Sequence, residues 1–344
     1  MKPRAIDLFC GCGGLTEGLK QAGFDVIGAV EINKIAMESY KGNHQEVKNF
    51  WEMDIELLTA EKVMNDCKIE EGELDLLAGC PPCQGFSTLT TKNGAKDSDD
   101  VRNDLVFEYL RFVRELKPKA IMMENVPALA KDRRMKQVLK ELKELGYYVD
   151  EKTVQVQDAS DFRVPQRRKR MILMTGKHGP IPETPKCSDK KTVEDVIGNY
   201  AETAGISGDP LHDYPERRTE KVKDIIRKIP HNGGSRRDLP EEDQLECHKK
   251  CDGFKDVYGR MKWEDVAPTM TSGCTNPSKG RFLHPEKNRT ITLREAALLQ
   301  TFPPSYFISL KGGKQAASLM IGNALPPEFI RRHAVTIRDY LLRD

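Results

Sequence analysis

At 344 residues, 38% of them hydrophobic and with no apolar run approaching the ~18 residues of a membrane span, the chain excludes a transmembrane-helix protein and is long enough for one large domain or two ordinary ones. Its nine cysteines, an odd number, exclude a secreted disulfide framework, and MKPRAIDLFCGCGG has no signal-peptide core, so an intracellular, cytoplasmic protein is expected. The net charge of +2 conceals a balance of −6 over residues 1–165 and +8 over residues 166–344, which suits a polyanion bound by the second half unless that charge is only a solvated surface.

AIDLF (5–9) reads as a buried strand running into CGCGG. There Gly11, Gly13 and Gly14 permit a tight turn and close approach of a ligand to the backbone before an amphipathic helix. The dinucleotide fingerprint would need a glycine at Thr16, and taken alone the loop is equally a structural turn. DVIGAVEI (25–32) is a second strand, with Glu31 at its end, where an acid can accept hydrogen bonds from ribose hydroxyls. After the helix in KIAMESYKGN, Asp54 stands at the end of a third strand, where it can receive an adenine amine. LDLLAG (74–79) then leads into CPPCQGFS. Cys80 lies close to the apolar strand and reads as a packed residue. Cys83 follows the rigid Pro81-Pro82 pair, as a presented nucleophile would, although a packing role is the competing reading. The polar TTKNGAKDSDDVRND suits a loop that closes over a substrate. Beyond the helix LVFEYLRFVRELK, the strand KAIMMENV (119–126) sets Glu124 on the same rim as Cys83, where it can manage a proton. A helix over 134–145 and strands near 147–156 and 170–175 continue the pattern, and the i, i+2 spacing of Arg168 and Arg170 puts both on one strand face.

This alternation predicts an α/β fold with a mostly parallel sheet covered on both faces. After about residue 177 the periodicity fades into Pro-, Gly-, Lys- and Asp-rich segments, a second and irregular domain. The expected division is 1–180 with 311–344 as one domain, the C-terminal helix returning to it, and 181–310 as the other. TITLREAALLQTF and PPEFIRRHAVTIRDYLLRD predict helices. In the irregular domain Arg236, Arg237, Lys255, Arg260, Lys279 and Arg281 are candidates for base or phosphate contacts. Cys247, His248 and Cys251, even with Cys274, are too loosely spaced for a zinc site, and no metal is expected.

These motifs, in this order over nearly the whole chain, resemble those of the cytosine-C5 DNA methyltransferase family. DLFCGCGGLTEGLKQAGF is similar to its cofactor motif, GCPPCQGFS to its nucleophile motif and ENV to its acid motif. QRRKR fits Gln-x-Arg-x-Arg at Gln166, Arg168 and Arg170, while RTITLREAALLQTFP and IGNALPP are similar to the last two motifs. The resemblance implies a Rossmann-like, S-adenosylmethionine-dependent methyltransferase sheet with a smaller, irregular target-recognition domain. It implies methyl transfer from S-adenosylmethionine to C5 of a flipped-out cytosine in a specific double-stranded DNA sequence, through a Cys83–C6 adduct. In that scheme Cys83 attacks C6, Glu124 contacts N3 and the amino group, and Arg170, helped by Arg168, holds the O2 side. Phe9, Gly11, Gly13, Gly14, Glu31, Asp54, Pro82 and Asn323 surround the cofactor, and Gln84 and Ser87 meet the DNA. The resemblance implies a monomer and allows a cognate restriction endonuclease as functional partner. A tRNA-directed relative would carry a Cys-Phe-Thr signature that is absent here. Amino-nitrogen methyltransferases carry an aromatic where Cys83 stands. A DNA-binding module without catalysis would not need Cys83, Glu124 and Arg170 together, and Thr16 opposes a nicotinamide-dependent oxidoreductase.

Overall fold

The computed structural model describes residues 1–82, 104–200, 207–249, 253 and 255–343. Two compact units divide the chain. Met1–Phe162, Lys169–Lys186 and Leu325–Asp344 form the first; Arg163–Arg168 and Cys187–Ala324 form the second. Residues 311–324, expected to return with the C-terminal helix, thus fall in the second unit, as does the short crossing at 163–168.

The strands are β1 (Arg4–Leu8), β2 (Asp25–Val30), β3 (Asn49–Trp51), β4 (Leu76–Gly79), β5 (Ala120–Asn125), β6 (Val154–Asp158) and β7 (Lys169–Gly176). The principal helices are α1 (Gly14–Gln21), α2 (Lys34–Asn43), α3 (Ala60–Cys67), α4 (Leu105–Leu116), α5 (Arg133–Glu144), α6 (Glu220–Lys228), α7 (Leu293–Leu299), α8 (Gly313–Asn323) and α9 (Pro327–Leu341).

In the first unit the seven strands found among the described residues form one sheet in the order β3-β2-β1-β4-β5-β7-β6. The first five run parallel, and β7 is antiparallel to both of its neighbours. Every residue of β4 and β5 is buried, as inner strands covered on both faces require. One core joins Ile6, Leu77, Ile121 and Met123 of the sheet to Val106, Leu110 and Val113 of α4 and Val138 and Leu142 of α5. α9 opens with Pro327 in its first turn, where the missing N–H costs nothing, and buries Phe329, Ile330, His333, Ala334 and Ile337. α1 packs against it through Gly18, whose added Cβ would lie 2.5 Å from Ile330 Cβ and 2.6 Å from the Pro327 carbonyl oxygen. The strand expected from about 147 begins only at Val154. Before it, Asp150 and Thr153 build a turn in which Lys152 N–H donates to Asp150 Oδ1 (2.9 Å) and Asp150 N–H to Thr153 Oγ1 (2.9 Å), a local alternative to the ladder.

The second unit has little regular structure and a small apolar cluster of Ile225, Ile226, Ile229, Leu239, Tyr258 and Leu283. Loop carbonyls without a ladder need donors, and Arg260, fully buried, supplies them. Its Nε donates to Ile229 O (3.1 Å), its Nη1 to His284 O (3.0 Å) and Lys287 O (2.6 Å), and its Nη2 to Ile226 O (2.8 Å) and Asn288 Oδ1 (2.6 Å).

Candidate active site

The strand order reverses between β1 and β4, so the connections after their carboxyl ends diverge and leave a crevice there, the general location of ligands in open α/β sheets. β1 enters that rim through Phe9–Gly13, and β4 through Cys80-Pro81-Pro82.

Phe9, Gly11 and Gly13 have φ of 67°, 55° and 98°. Glycine adopts this left-handed region freely, whereas the bulky Phe9 does so at a cost of ~1–3 kcal/mol that the surrounding structure must over-determine. The anchors are visible. Cys10 N–H donates to Val30 O (3.0 Å) and Gly11 N–H to Glu31 Oε2 (2.9 Å), while Glu31 Oε1 accepts from Asn33 N–H (2.8 Å). Glu31 thus ties the end of β2 to the glycine loop. A Cβ on Gly11 would meet nothing within 4 Å, so the loop backbone faces open space at that point. Behind the loop the Thr16 hydroxyl donates to Asp7 Oδ2 (2.7 Å) and lies 2.8 Å from the Tyr40 hydroxyl. Gly14 is the first residue of α1. Asp54 stands three residues past β3, half-buried, with Oδ1 accepting from Glu56 N–H (3.1 Å). Ile32, beside Glu31, is an apolar side chain left 63% exposed. Sequence reading absorbed it into the strand; its only signal was its position one residue past the strand-end acid.

At the ends of β4 and β5, Asn125 Nδ2 donates to Pro81 O (2.9 Å), fixing the first proline of the Pro-Pro turn. Glu124 is buried, and Arg170 Nε lies 2.8 Å from its Oε1, an ion pair between β5 and β7. Burial, reinforced by the Glu124 carboxylate, pushes the Cys80 thiol well above its ordinary pKa, so Cys80 stays protonated and poorly nucleophilic. Pro82 is half-buried. Cys83, Gln84 and Ser87 lie outside the described residues.

The Gln-x-Arg-x-Arg segment does not act as one strand face. β7 begins at Lys169, and only Arg170 belongs to the first unit. Arg168 is buried in the second, its Nη1 donating to Met270 O (2.9 Å) and its Nη2 to Gly322 O (3.0 Å). The expectation that it helps hold a base is corrected: its guanidinium braces the Met270 backbone and the last turn of α8. Gln166 does the same, donating to Gln300 Oε1 (2.8 Å) and accepting from Met270 N–H (2.7 Å). Asn323 ends α8, exposed, in the second unit.

Two of the DNA-contact candidates are corrected for the same reason. Arg260 has spent all five donors internally, and Arg236 is buried and donates to Gly253 O (2.8 Å). Arg237, Lys255 and Lys279 are exposed. Arg281, half-buried, is held by the Gly233 and Arg260 carbonyls and by Asp256, and with Arg167, Lys262 and Asp265 lines a cavity of about 320 Å³. Cys274 is buried with its sulfur 3.3 Å from Ser318 Oγ. The side chains of Cys247, His248 and Cys251 lie outside the description.

A family model described as C-5 cytosine-specific DNA methylase matches residues 3–338. The chain belongs to the C-5 cytosine-specific DNA methylases. This methylase is a DNA cytosine-5 methyltransferase, and its relatives are Type II modification enzymes. It is 38% identical to the Type II methylase M.HgiDII of Herpetosiphon aurantiacus, over 98% of this chain and 95% of the relative. It is 33% identical to the Type II methyltransferase M1.HphI of Haemophilus parahaemolyticus, over 94% and 83%. Among solved structures, a protein encoded within an Escherichia coli prophage superposes with a TM-score of 0.73 at 23% identity, over the full length of both chains. Spodoptera frugiperda DNMT2 gives 0.65 at 18%, over 98% of this chain and 99% of the other. At these identities the structures establish the methyltransferase fold. Among the described residues no helix of the methylase is long and apolar enough to cross a membrane.

Proposed function

We propose that this methylase moves the methyl group of S-adenosylmethionine to C5 of a cytosine flipped out of a specific duplex sequence, by way of a covalent bond from Cys83 to C6. The observation that carries the reading is the convergence at the ends of adjacent parallel strands. β4 ends in the pinned Cys80-Pro81-Pro82 turn that leads to Cys83, and β5 ends in the Glu124–Arg170 ion pair.

The residues present fit the cofactor. The loop backbone is open at Gly11, an acid closes β2 beside it, and apolar Ile32 and the carboxylate of Asp54 follow on the same rim. Phe9, Gly11, Gly13, Gly14, Glu31, Asp54, Pro82 and Asn323 are the residues proposed to hold it. When bound, S-adenosylmethionine supplies an electrophilic sulfonium methyl group.

Cytosine C5 is too weak a nucleophile to take that group unaided. Addition of the Cys83 thiolate forms the S–C6 bond and pushes the C5–C6 π electrons onto C5, which would then take the sulfonium methyl group as the methyl–sulfur bond breaks and leaves its electrons on S-adenosylhomocysteine. Glu124 holds N3 and the amino group of the ring, and Arg170 steadies both Glu124 and the O2 side. Loss of the C5 proton to a base then drives the S–C6 electrons back onto sulfur, which leaves as thiolate and restores the aromatic ring. The target carbon is unreachable in stacked DNA, so the base must leave the helix. Duplex DNA is the proposed partner, read by the second unit, with a cognate restriction endonuclease as the companion activity in the cell.

Cys83→Ser should abolish tritiated methyl incorporation into duplex DNA while leaving DNA binding intact, because a serine hydroxyl is scarcely ionised at neutral pH. Cys80→Ser should be mild. Substantial methylation by the Cys83 variant would sink the covalent route, and equal loss in both variants would identify the wrong thiol.

A further inference from the structure

The glycine loop has a third anchor that the mechanism does not use. His44 ends α2, fully buried, its ring centroid 4.7 Å from that of Tyr40. Lys20 Nζ lies 3.1 Å from its Nδ1 and pairs in turn with Glu46 (2.5 Å). Burial, reinforced by the Lys20 charge, pushes the imidazole down to about 3, so the ring is neutral and carries one proton. An ammonium can only donate, so Nδ1 accepts from Lys20 and the proton sits on Nε2. The ring also hydrogen-bonds the backbone of Gly13. A carbonyl can only accept, so that bond is made by Nε2–H. The same carbonyl accepts Glu17 N–H (2.9 Å) through its second lone pair, as the start of α1 requires.

The carbonyl and the following N–H belong to one rigid trans peptide and point opposite ways. Fixing Gly13 C=O therefore aims Gly14 N–H, one of the first-turn donors that α1 cannot use itself. We propose that His44, held as the Nε2–H tautomer by Lys20, is a positioning residue that sets the Gly13–Gly14 peptide for cofactor binding. The proposal rests on the cofactor reading above. It places in the binding apparatus a residue that touches neither cofactor nor DNA.

The test is calorimetry of the full-length protein with S-adenosylhomocysteine, beside thermal unfolding of each variant without ligand. His44→Gln keeps an amide N–H near the Nε2 position; His44→Asn reaches only the Nδ1 position; His44→Phe keeps the ring packing and removes both nitrogens. The Gln variant should bind within a few-fold of wild type, and the Asn and Phe variants about tenfold more weakly, the scale of one lost hydrogen bond. Duplex DNA binding without ligand should not change. Wild-type affinity in the Asn or Phe variant would overturn the proposal, as would a loss in Gln as large as in Phe, which would mean that packing alone matters. If a His44 variant does not fold, Lys20→Met leaves the histidine in place and frees its tautomer. It should weaken binding a few-fold, and unchanged affinity there also counts against the proposal. Failure of the wild-type protein to bind S-adenosylhomocysteine would instead remove the cofactor reading and this role with it.

Discussion

Asp7 lies in β1 with no exposed surface, and its Oδ1 has no hydrogen-bond partner among the described residues. Burial raises its pKa to about 7 against the lowering effect of Thr16. In the unfolded chain the same carboxyl ionises near pH 4. Between those values the folded protein holds a proton that the unfolded chain has released, so stability falls as pH rises through that window, by at most on the order of 1 kcal/mol per pH unit, and levels off above it. Asp7→Asn should remove this slope: urea midpoints at pH 5 and pH 8 should lie closer together in the variant than in the wild type. Parallel slopes would show that Asp7 is not the group titrating. Residues differ in how much of this a sequence reveals. Glu31 and Glu124 were legible because an acid at the end of an apolar run stands out against its surroundings. Arg168, Arg236 and Arg260 were misread because a guanidinium in a loop looks the same on paper whether it meets solvent or backbone carbonyls. Only the fold shows that Arg260 serves five acceptors from two separate segments, 226–229 and 284–288. His44 gave no signal at all, since its partners Lys20 and Gly13 are remote in sequence.

Among elements, the long apolar strands were legible and the short ones were not. β1, β2, β4 and β5 coincide with hydrophobic runs, whereas the third strand, expected to end at Asp54, has three residues and stops at Trp51. The C-terminal helix was predicted from its pattern, but nothing in the pattern says that it packs on α1, 300 residues earlier. That contact depends on Gly18. Alanine there would gain up to about 1 kcal/mol of helix propensity. It would also drive a methyl group to 2.5 Å from Ile330 Cβ, an overpacking that costs about 1–3 kcal/mol. Gly18→Ala should therefore lower the thermal midpoint, and Gly18→Val should lower it further, because Ile330 Cβ and the Pro327 carbonyl oxygen leave no room for a side chain. An unchanged or raised midpoint in Gly18→Ala would show that the close approach is not what the glycine permits.

For the whole molecule, the change in sequence texture near residue 177 marks the irregular part of the chain, but not its far boundary. α8 is helical and apolar in places, as a sheet-covering helix would be, yet residues up to Ala324 cluster with the second unit. Segment 163–168 falls inside the expected first domain, whereas it clusters with the second unit, where Arg168 and Gln166 brace the backbone. These braces imply that the unit's loops can be exchanged while its frame stays. The positive balance of the second half and the exposed Arg237, Lys255 and Lys279 suit phosphate contacts, so duplex affinity should fall steeply with salt, by close to one log–log unit for each phosphate neutralised. Replacing one of those side chains should reduce that slope and weaken all sequences alike, whereas loss of a base-reading residue should relax sequence choice. Exchanging residues 187–290 for the same region of a relative, with 163–168 and α7–α8 retained, should transfer the methylated sequence and keep the chemistry. Bisulfite sequencing of plasmid modified by the chimera reads the result. Modification of the original site would place specificity outside 187–290. Methylation of tRNA alone by the unaltered protein would overturn duplex DNA as the substrate of this chain.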